Sequence, residues 1–243
     1  MLKIIHKMKE ALYLDDSYLK EFEATIKEVN NDKYIILDQT IFYPNSGGQP
    51  HDTGKFIFEG KEYEVVYVGK FDGKISHEVD KEGLKVGDKI KGIINWKRRY
   101  KLMRMHTAAH LLSAIFHDEL GALITGNQKD VERSRMDFSL EDFDRDKITE
   151  LIKKSNEIIK QDIPVKVYTL KKEEALKISG IIKLANKMPP DLDEFRIVQI
   201  GDIDTQADGG THVKSSKEIG EIVFLKAENK GKSNRRVYFG LKD

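Results

Sequence analysis

Residues 97–117 read KRRYKLMRMHTAAHLLSAIFH, and this stretch decides how the chain is divided. Its apolar residues recur at spacings of three and four, which predicts one buried stripe along a helix. They are Leu102, Met105, Ala109, Leu112 and Phe116. Before it, residues 22–96 alternate short β-type runs with turns rich in Gly, Asn and Asp, a pattern typical of a small β-barrel. We therefore predict a boundary near Trp96, with a β-barrel domain over residues 1–96 and a second domain over residues 97–243.

The second domain continues with one more helix and several strands. We predict the helix from Arg145 to Gln161, with Ser139 or Asp142 as its N-cap. The runs VKVYTL, EFRIVQI, EIVFLKAEN and RRVYFGL predict four strands, with a short helical piece over residues 172–179 and a turn over residues 188–190. Helices grouped among strands, without βαβ alternation, predict the α+β class. We expect a two-layer domain whose long helices lie on one face of a mainly antiparallel sheet.

Composition excludes several classes of protein. The 243 residues include no Cys, so a disulfide framework and a thiolate metal site are both excluded. Charged residues interrupt the first apolar stretch, and no run is long enough to span a bilayer, so we expect a cytoplasmic protein without a membrane partner. A formal net charge of +1 means that any nucleic-acid binding must come from a local basic patch. The oligomeric state stays open, with a monomer favoured.

Two short motifs supply candidate metal ligands. His106 and His110 are spaced i, i+4 on the predicted helix, so both imidazoles lie on one face and could chelate one ion. Alone, such a pair is more often found at a helix surface or in a core. A second motif, Asp208-Gly-Gly-Thr-His212, offers a carboxylate and a third imidazole together. Thr107 stands where a zinc peptidase motif requires a glutamate, so a peptidase is disfavoured.

Five stretches together resemble the alanyl-tRNA editing family, which comprises the editing domain of alanyl-tRNA synthetase and its free-standing AlaX relatives. They are FYPNSGGQPHDTG, MRMHTAAHLLSA, SRMDFSLEDF, DGGTHV and EIGEIVFLKAENKGKSNRRVYF. The resemblance implies a hydrolase for wrongly charged aminoacyl-tRNA that binds one Zn²⁺ through an HxxxH pair and a CxxxH pair. His106, His110 and His212 match three of these ligands, whereas Asp208 stands where the family has Cys. Asp208 is then either the fourth zinc ligand or an acceptor or base for a zinc-bound water.

Polar residues near the metal would decide which amino acid is removed, because a site that hydrogen-bonds a hydroxyl discriminates serine from alanine strongly. The candidate catalytic residues are Gln49, Thr107 and Asp208, and the candidate substrate-binding residues are Asn45, Gly47, Gly48, Thr211 and Arg135. Thr107 could instead bond its own helix backbone. Residues 45–50, NSGGQP, could simply form a hairpin turn, and Arg135 could form a structural ion pair with Asp137.

Two basic patches are candidate RNA contacts. The first patch, Arg98, Arg99 and Arg104, precedes the histidine pair on the same helix. The second patch, Lys232, Arg235 and Arg236, lies near the C-terminus. Such cations would hold phosphates without reading sequence, although charge runs are most often solvated faces.

The expected function is a free-standing deacylase that acts in trans on tRNA(Ala) carrying a noncognate amino acid, serine first and glycine second. Two alternatives remain open. One is a deacylase for another mischarged tRNA, such as Ser-tRNA(Thr), and the other is a noncatalytic RNA-binding module with a structural zinc.

Overall fold

The computed structural model describes residues 10–141, 144–178, 181 and 192–242. The chain forms two compact units, residues 1–102 and 103–243. The division falls inside a long helix that begins at Trp96, the residue near which we placed the domain boundary.

Six strands of the first unit close into a barrel. They are β1 (Glu21–Asn30), β2 (Tyr34–Leu37), β3 (Gly54–Phe58), β4 (Lys61–Phe71), β5 (Lys74–Val79) and β6 (Lys89–Ile94). The strand order is β1-β2-β5-β4-β3-β6, and all neighbouring pairs are antiparallel. Alternate residues of β1, namely Phe22, Ala24 and Ile26, point into the core, as the period of a strand requires. The predicted β-barrel is confirmed.

Helix α1 (Trp96–Leu120) is more deeply buried than its sequence pattern indicates. Every residue from 105 to 116 is buried, whereas we predicted a single buried stripe. The helix ends at Gly121, whose positive φ of 64° suits glycine and whose N–H donates to the carbonyl of His117. None of the helices in the described residues has the length and apolar character needed to cross a bilayer.

The second unit is α+β, as predicted, but its strands form two antiparallel sheets. Strands β7 (Ile124–Gln128), β8 (Ser134–Phe138), β12 (Glu221–Asn229) and β13 (Arg235–Lys242) form one sheet in the order β12-β13-β8-β7. Strands β9 (Val165–Lys171), β10 (Glu194–Ile200) and β11 (Asp204–Ala207) form the other in the order β11-β10-β9. The sequence pattern missed β7, β8 and β11 because they are short and rich in polar residues.

Within the described residues, the remaining regular elements are helix α2 (Arg145–Ile159), the short α3 (Lys172–Ala175) and 3₁₀ turns at Leu12–Leu14 and Ser216–Ile219. Asn156 of α2 exchanges two hydrogen bonds with the backbone of Ile222 in β12. That both long helices cover one face of a single sheet stays a prediction.

Asp144 caps α2 by accepting from the N–H groups of Asp146 and Lys147. Of our two predicted caps, Ser139 instead accepts a hydrogen bond from Leu123 N, and Asp142 lies outside the described residues. The predicted turn over residues 188–190 and the end of the short helical piece at Ser179 also fall outside them.

Candidate metal centre

Three imidazoles and one carboxylate converge in the second unit. His106 and His110 come from one face of α1, while Asp208 and His212 lie in the loop that follows β11. One ligand atom from each of these four residues lies within 4.8 Å of the other three. The two sequence motifs, about a hundred residues apart, therefore form one cluster.

The carboxylate of Asp208 lies at the middle of this cluster. Its Oδ2 is 3.5 Å from His106 Nε2 and 3.7 Å from His110 Nε2, and its Oδ1 is 3.2 Å from His212 Nε2. The Nε2 atoms of all three histidines thus face one point. Ligands of a tetrahedral zinc ion are spaced roughly 3.3 Å apart, so the donor set and its spacing fit Zn²⁺.

The backbone of the loop is held close to α1. Arg196 donates from Nη1 to the carbonyl of Asp208, and Asp208 N donates to the carbonyl of Arg196. Gly210 N donates to Asp208 Oδ1. A Cβ on Gly210 would overlap the ring of His106, whereas a Cβ on Gly209 would meet open space. Of these two glycines, only Gly210 is required, because the loop lies too close to His106 at this position for a side chain to fit.

Thr107 positions His212. The Thr107 hydroxyl lies 3.0 Å from the carbonyl of Met103, 3.1 Å from His212 Nδ1 and 3.2 Å from Val213 N. These contacts occupy its one donor and two acceptor positions when Thr107 donates to Met103 and accepts from His212 and Val213. Nδ1 of His212 then carries the proton, and Nε2 is left to bind an ion. The bond to Met103 is the helix-backbone bond that we gave as the alternative for Thr107, and a catalytic role for Thr107 stays a prediction.

Burial and charge give the three imidazoles different proton affinities. Burial lowers the pKa of His106 to about 3, and the positive charge of Lys129 acts in the same direction. Burial and the neighbouring His106 hold the pKa of His212 well below its usual value. For His110, hydrogen bonds to two carboxylates outweigh the effect of burial and raise the pKa to about 9. At neutral pH, His110 is the imidazole of the metal-free cluster that carries an extra proton.

The same contacts keep Asp208 ionised. Burial alone would raise its pKa, but the electrostatic interaction with His106 and hydrogen bonds from the three histidines hold that pKa well below the usual range. The cluster therefore offers an anionic oxygen beside three nitrogen donors.

Two buried charged residues beside the cluster escaped the sequence analysis. Asp204 Oδ2 lies 3.0 Å from His110 Nδ1. Lys129, which follows β7, is almost fully buried and donates from Nζ to Asn127 Oδ1 at 3.0 Å. Burial lowers the pKa of Lys129 to about 8, although Asp208 opposes that shift. A signal for Asp204 was present, since polar residues at 204, 206 and 208 alternate along one face of a strand. The sequence around Lys129 is typical of a polar turn.

The other predicted substrate contacts are divided between the two units: Thr211 lies in the second, and Gly47, Gly48 and Gln49 lie in the first. Thr211 is fully buried next to His212 in the same loop. Gln49 belongs to the first unit and is also fully buried. Gly47 and Gly48, with φ of 56° and 76°, form the turn of a tight hairpin closed by two backbone hydrogen bonds between Ser46 and Gln49. This is the turn that we gave as the alternative for residues 45–50, and a border with the substrate pocket stays a prediction.

The carboxylate of Asp137 binds both Arg135, a predicted substrate contact, and Arg236, a predicted RNA contact. Arg135 donates to it from Nη1 at 3.0 Å, and Arg236 donates from Nε and Nη2 at 2.7 and 2.8 Å. This is the structural ion pair that we gave as the alternative for Arg135. Both guanidinium groups hold the same carboxylate.

Two of the six predicted RNA contacts are buried, and these predictions need correction. Arg99 is 0% exposed and forms an ion pair with Asp52 inside the first unit. Arg235 is 6% exposed and donates from Nη1 to Asn229 Oδ1 and to the carbonyl of Gly231. A basic run on a helix or strand contributes residues to both faces, so neighbours within one run differ in burial.

The remaining four cations are partly or fully accessible. Arg98 donates to the carbonyl of His51 and Arg104 to the carbonyls of Ile219 and Lys242, whereas Lys232 is exposed. Arg236, although paired, keeps part of its surface accessible.

Comparisons with known proteins show which families this chain is similar to. Residues 195–238 match the threonyl and alanyl tRNA synthetase second additional domain, and residues 7–98 match the class II (A) tRNA synthetases. The alanyl-tRNA editing protein AlaX-M of Methanosarcina barkeri is 52% identical over 243 residues, which cover 97% of this chain and 100% of the relative. AlaX-M of Saccharolobus solfataricus is 49% identical over 238 residues, with coverage of 97% and 100%.

Longer proteins contain a similar segment. The alanine–tRNA ligase of Pyrobaculum neutrophilum is 35% identical over 224 residues, which make up 89% of this chain but 25% of the ligase. Since the AlaX-M relatives match over nearly their whole length, the chain belongs to the alanyl-tRNA editing protein family.

Proposed function

We propose that the chain is a zinc-dependent deacylase that acts in trans on tRNA(Ala) carrying a noncognate amino acid, serine first and glycine second. The observation that carries the proposal is the convergence of His106, His110, His212 and Asp208 on one point. The names of the AlaX-M relatives support alanyl-tRNA editing as the general activity. The segment shared with alanine–tRNA ligases supports tRNA(Ala) as the RNA partner.

The three histidines would hold the ion through Nε2. A bound Zn²⁺ supplies a Lewis acid that can polarise the ester carbonyl or lower the pKa of a water molecule. The protein contributes the fixed directions of the imidazoles, since Thr107 bonds Nδ1 of His212 and Asp204 bonds Nδ1 of His110.

We favour Asp208 as the fourth ligand over a role as base. Its two oxygens lie 3.2–3.7 Å from the three Nε2 atoms, a spacing similar to that between ligands of one ion. Aspartate preserves the single negative charge of the cysteine thiolate that it replaces. The substitution Asp208→Asn should lower both zinc content and turnover. Retained zinc with slow turnover would instead indicate a base, and retention of both would exclude either role.

Serine selectivity would come from polar groups other than Thr107. Thr211 stays the candidate of the second unit for a hydrogen bond to the serine hydroxyl. Such a contact favours serine over alanine, because alanine would leave the buried polar group unpaired. Glycine would have to be accepted for its small size.

The decisive experiment measures hydrolysis of Ser-, Gly- and Ala-tRNA(Ala) and of Ser-tRNA(Thr), together with zinc content. We expect rapid loss of serine from tRNA(Ala), and we expect His106→Ala and His212→Ala to lose both activity and zinc. His117→Ala is the matched control, because His117 lies on the same helix but outside the ligand cluster.

Three outcomes would contradict the proposal. Wild-type turnover in zinc-free variants would remove the metal from the reaction. Faster hydrolysis of Ser-tRNA(Thr) would favour a different tRNA. Tight zinc and RNA binding without hydrolysis of any substrate would favour the noncatalytic module.

A further inference from the structure

A closed set of hydrogen bonds begins and ends at His110. Ser113 Oγ donates to the carbonyl of His110 at 2.8 Å, and Gln206 Nε2 donates to Ser113 Oγ at 2.9 Å. Gln206 Nε2 also donates to the carboxylate of Asp204 at 2.9 and 3.0 Å. That carboxylate lies 3.0 Å from His110 Nδ1, which completes the loop. All four residues are buried.

The donors and acceptors in this closed set of hydrogen bonds fix the placement of each proton. The single proton of Ser113 points to the carbonyl of His110, so its oxygen must accept from Gln206. The carboxylate of Asp204 can only accept, so it requires an amide N–H from Gln206 and the N–H of His110 Nδ1. A flipped Gln206 amide would place its oxygen against both acceptors. These hydrogen bonds thereby specify which nitrogen of His110 is left to bind an ion.

We propose that Asp204 is the positioning residue of the metal centre: its carboxylate, held by Gln206 and Ser113, keeps His110 as the Nδ1–H tautomer with Nε2 directed at the ion. The inference rests on the metal site of the proposed function and adds that metal affinity depends on a residue that is not a ligand. A carboxylate that accepts from a ligating histidine also raises the basicity of that ligand. Asp204 is then important for binding the ion, and its contribution extends beyond stabilising the fold.

The substitution Asp204→Asn tests the proposal with little change in side-chain size. If the asparagine oxygen keeps its bond to His110, its NH₂ group faces the NH₂ group of Gln206. Gln206 can avoid this conflict by flipping its amide, but Ser113 must then give up either its bond to Gln206 or its bond to the His110 carbonyl. We expect zinc affinity, measured by competition with a chromophoric chelator, to fall about 10- to 100-fold. Asp202→Asn is the matched control, because Asp202 is exposed and lies two residues earlier. It should leave zinc affinity unchanged.

A second measurement uses the wild-type protein. Long-range ¹⁵N–¹H spectra of the zinc-loaded protein should show His110 protonated at Nδ1 and bound to zinc through Nε2. Binding through Nδ1 would overturn the proposal, as would wild-type zinc affinity in folded Asp204→Asn. If Asp204→Asn does not fold, Gln206→Met replaces it and should weaken zinc binding several-fold. Unchanged affinity there would likewise overturn the proposal.

These readouts distinguish positioning from a purely structural role. A structural role would lower the melting temperature of the metal-free protein but leave the zinc affinity of the folded protein unchanged. They are also independent of the proposed function, because zinc affinity and the tautomer of His110 can be measured whether or not any aminoacyl-tRNA is hydrolysed.

Discussion

Gly210 is important for the ligand cluster because it has no side chain. A methyl group at this position would overlap the ring of His106 and lie 2.8 Å from Asp208 Oδ1. Its backbone N–H also donates to that carboxylate. The loop can approach α1 this closely only because residue 210 has no Cβ.

Exchange of the two neighbouring glycines for alanine should therefore have unequal effects. Gly210→Ala must displace His106 or the loop, and overpacking of this kind costs about 1–3 kcal/mol. We expect at least a tenfold loss of zinc affinity in chelator competition. Gly209→Ala, where a Cβ meets open space, is the control and should bind zinc like the wild type. Equal affinities for the two variants would contradict this account of the loop.

The proton on His110 predicts how zinc binding depends on pH. With a pKa of about 9, His110 is protonated at pH 7, whereas His106, with a pKa of about 3, is neutral. Zinc must displace the proton of His110. We expect release of about one proton per zinc at pH 7 and an affinity that rises about tenfold per pH unit before levelling near pH 9. Calorimetry in buffers of different ionisation enthalpy measures this proton. An affinity that is constant between pH 6 and 8 would contradict the prediction.

Residues of the ligand cluster could be predicted where their spacing in the sequence already indicates a metal site. The i, i+4 spacing of His106 and His110 places both rings on one helical face whatever the surroundings. Lys129 was not predictable as a site residue, because its importance comes from neighbours distant in sequence. For Asp204 the only signal was the alternation of polar residues at 204, 206 and 208. The sequence could not distinguish Arg98 from the buried Arg99 either, since a partner such as Asp52 is visible only in the folded chain.

At the scale of elements, Arg99 connects the first turn of α1 to the barrel unit. Its guanidinium donates to Asp52 and to the carbonyls of Ser17 and Ile41. Asp52 also accepts from Tyr43 N at 2.7 Å. A buried pair with this many partners holds three separate stretches of the first unit together.

Breaking this ion pair should destabilise the protein strongly. Asp52→Asn would leave the Arg99 charge buried without its counterion, which costs about 3–5 kcal/mol. The exposed pair of Lys55 and Glu62 provides the control, since its side chains are 33% and 52% exposed. Glu62→Gln should change the free energy of unfolding by less than about 1 kcal/mol. Urea denaturation measures both, and similar losses in the two variants would show that the buried pair is not special.

The predictability of the elements followed their periodicity. Long runs with a clear period, such as α1 and α2, were predicted within a few residues, and so was the existence of a barrel. The short strands β7, β8 and β11 were missed because four or five residues contain too little alternation to identify a strand. The division of the strands between two sheets depends on pairing, which no single run encodes.

At the scale of the whole molecule, positive charge is almost balanced by negative charge. The chain has 42 basic and 41 acidic residues. Of the six predicted RNA contacts, Arg99 and Arg235 are buried, which leaves four. A small number of phosphate contacts predicts a modest dependence of RNA binding on salt.

The salt dependence of tRNA binding measures this number directly. With four contacts, the logarithm of the association constant should fall against the logarithm of salt with a slope of about −3 to −4. Lys232→Gln should reduce that slope by about one, whereas the exposed Lys153 of α2 serves as control in Lys153→Gln. A much steeper wild-type slope would indicate RNA contacts on other parts of the surface.

The composition of the ligand cluster affects its chemical durability. Its donors are nitrogen and oxygen atoms, and the chain contains no sulfhydryl group at all. Peroxide and alkylating agents attack metal centres by converting thiolates to sulfenic acids, disulfides or thioethers, and here they would find no such target. An ion held by His106, His110, His212 and Asp208 should therefore survive oxidative stress that strips zinc from cysteine-ligated sites.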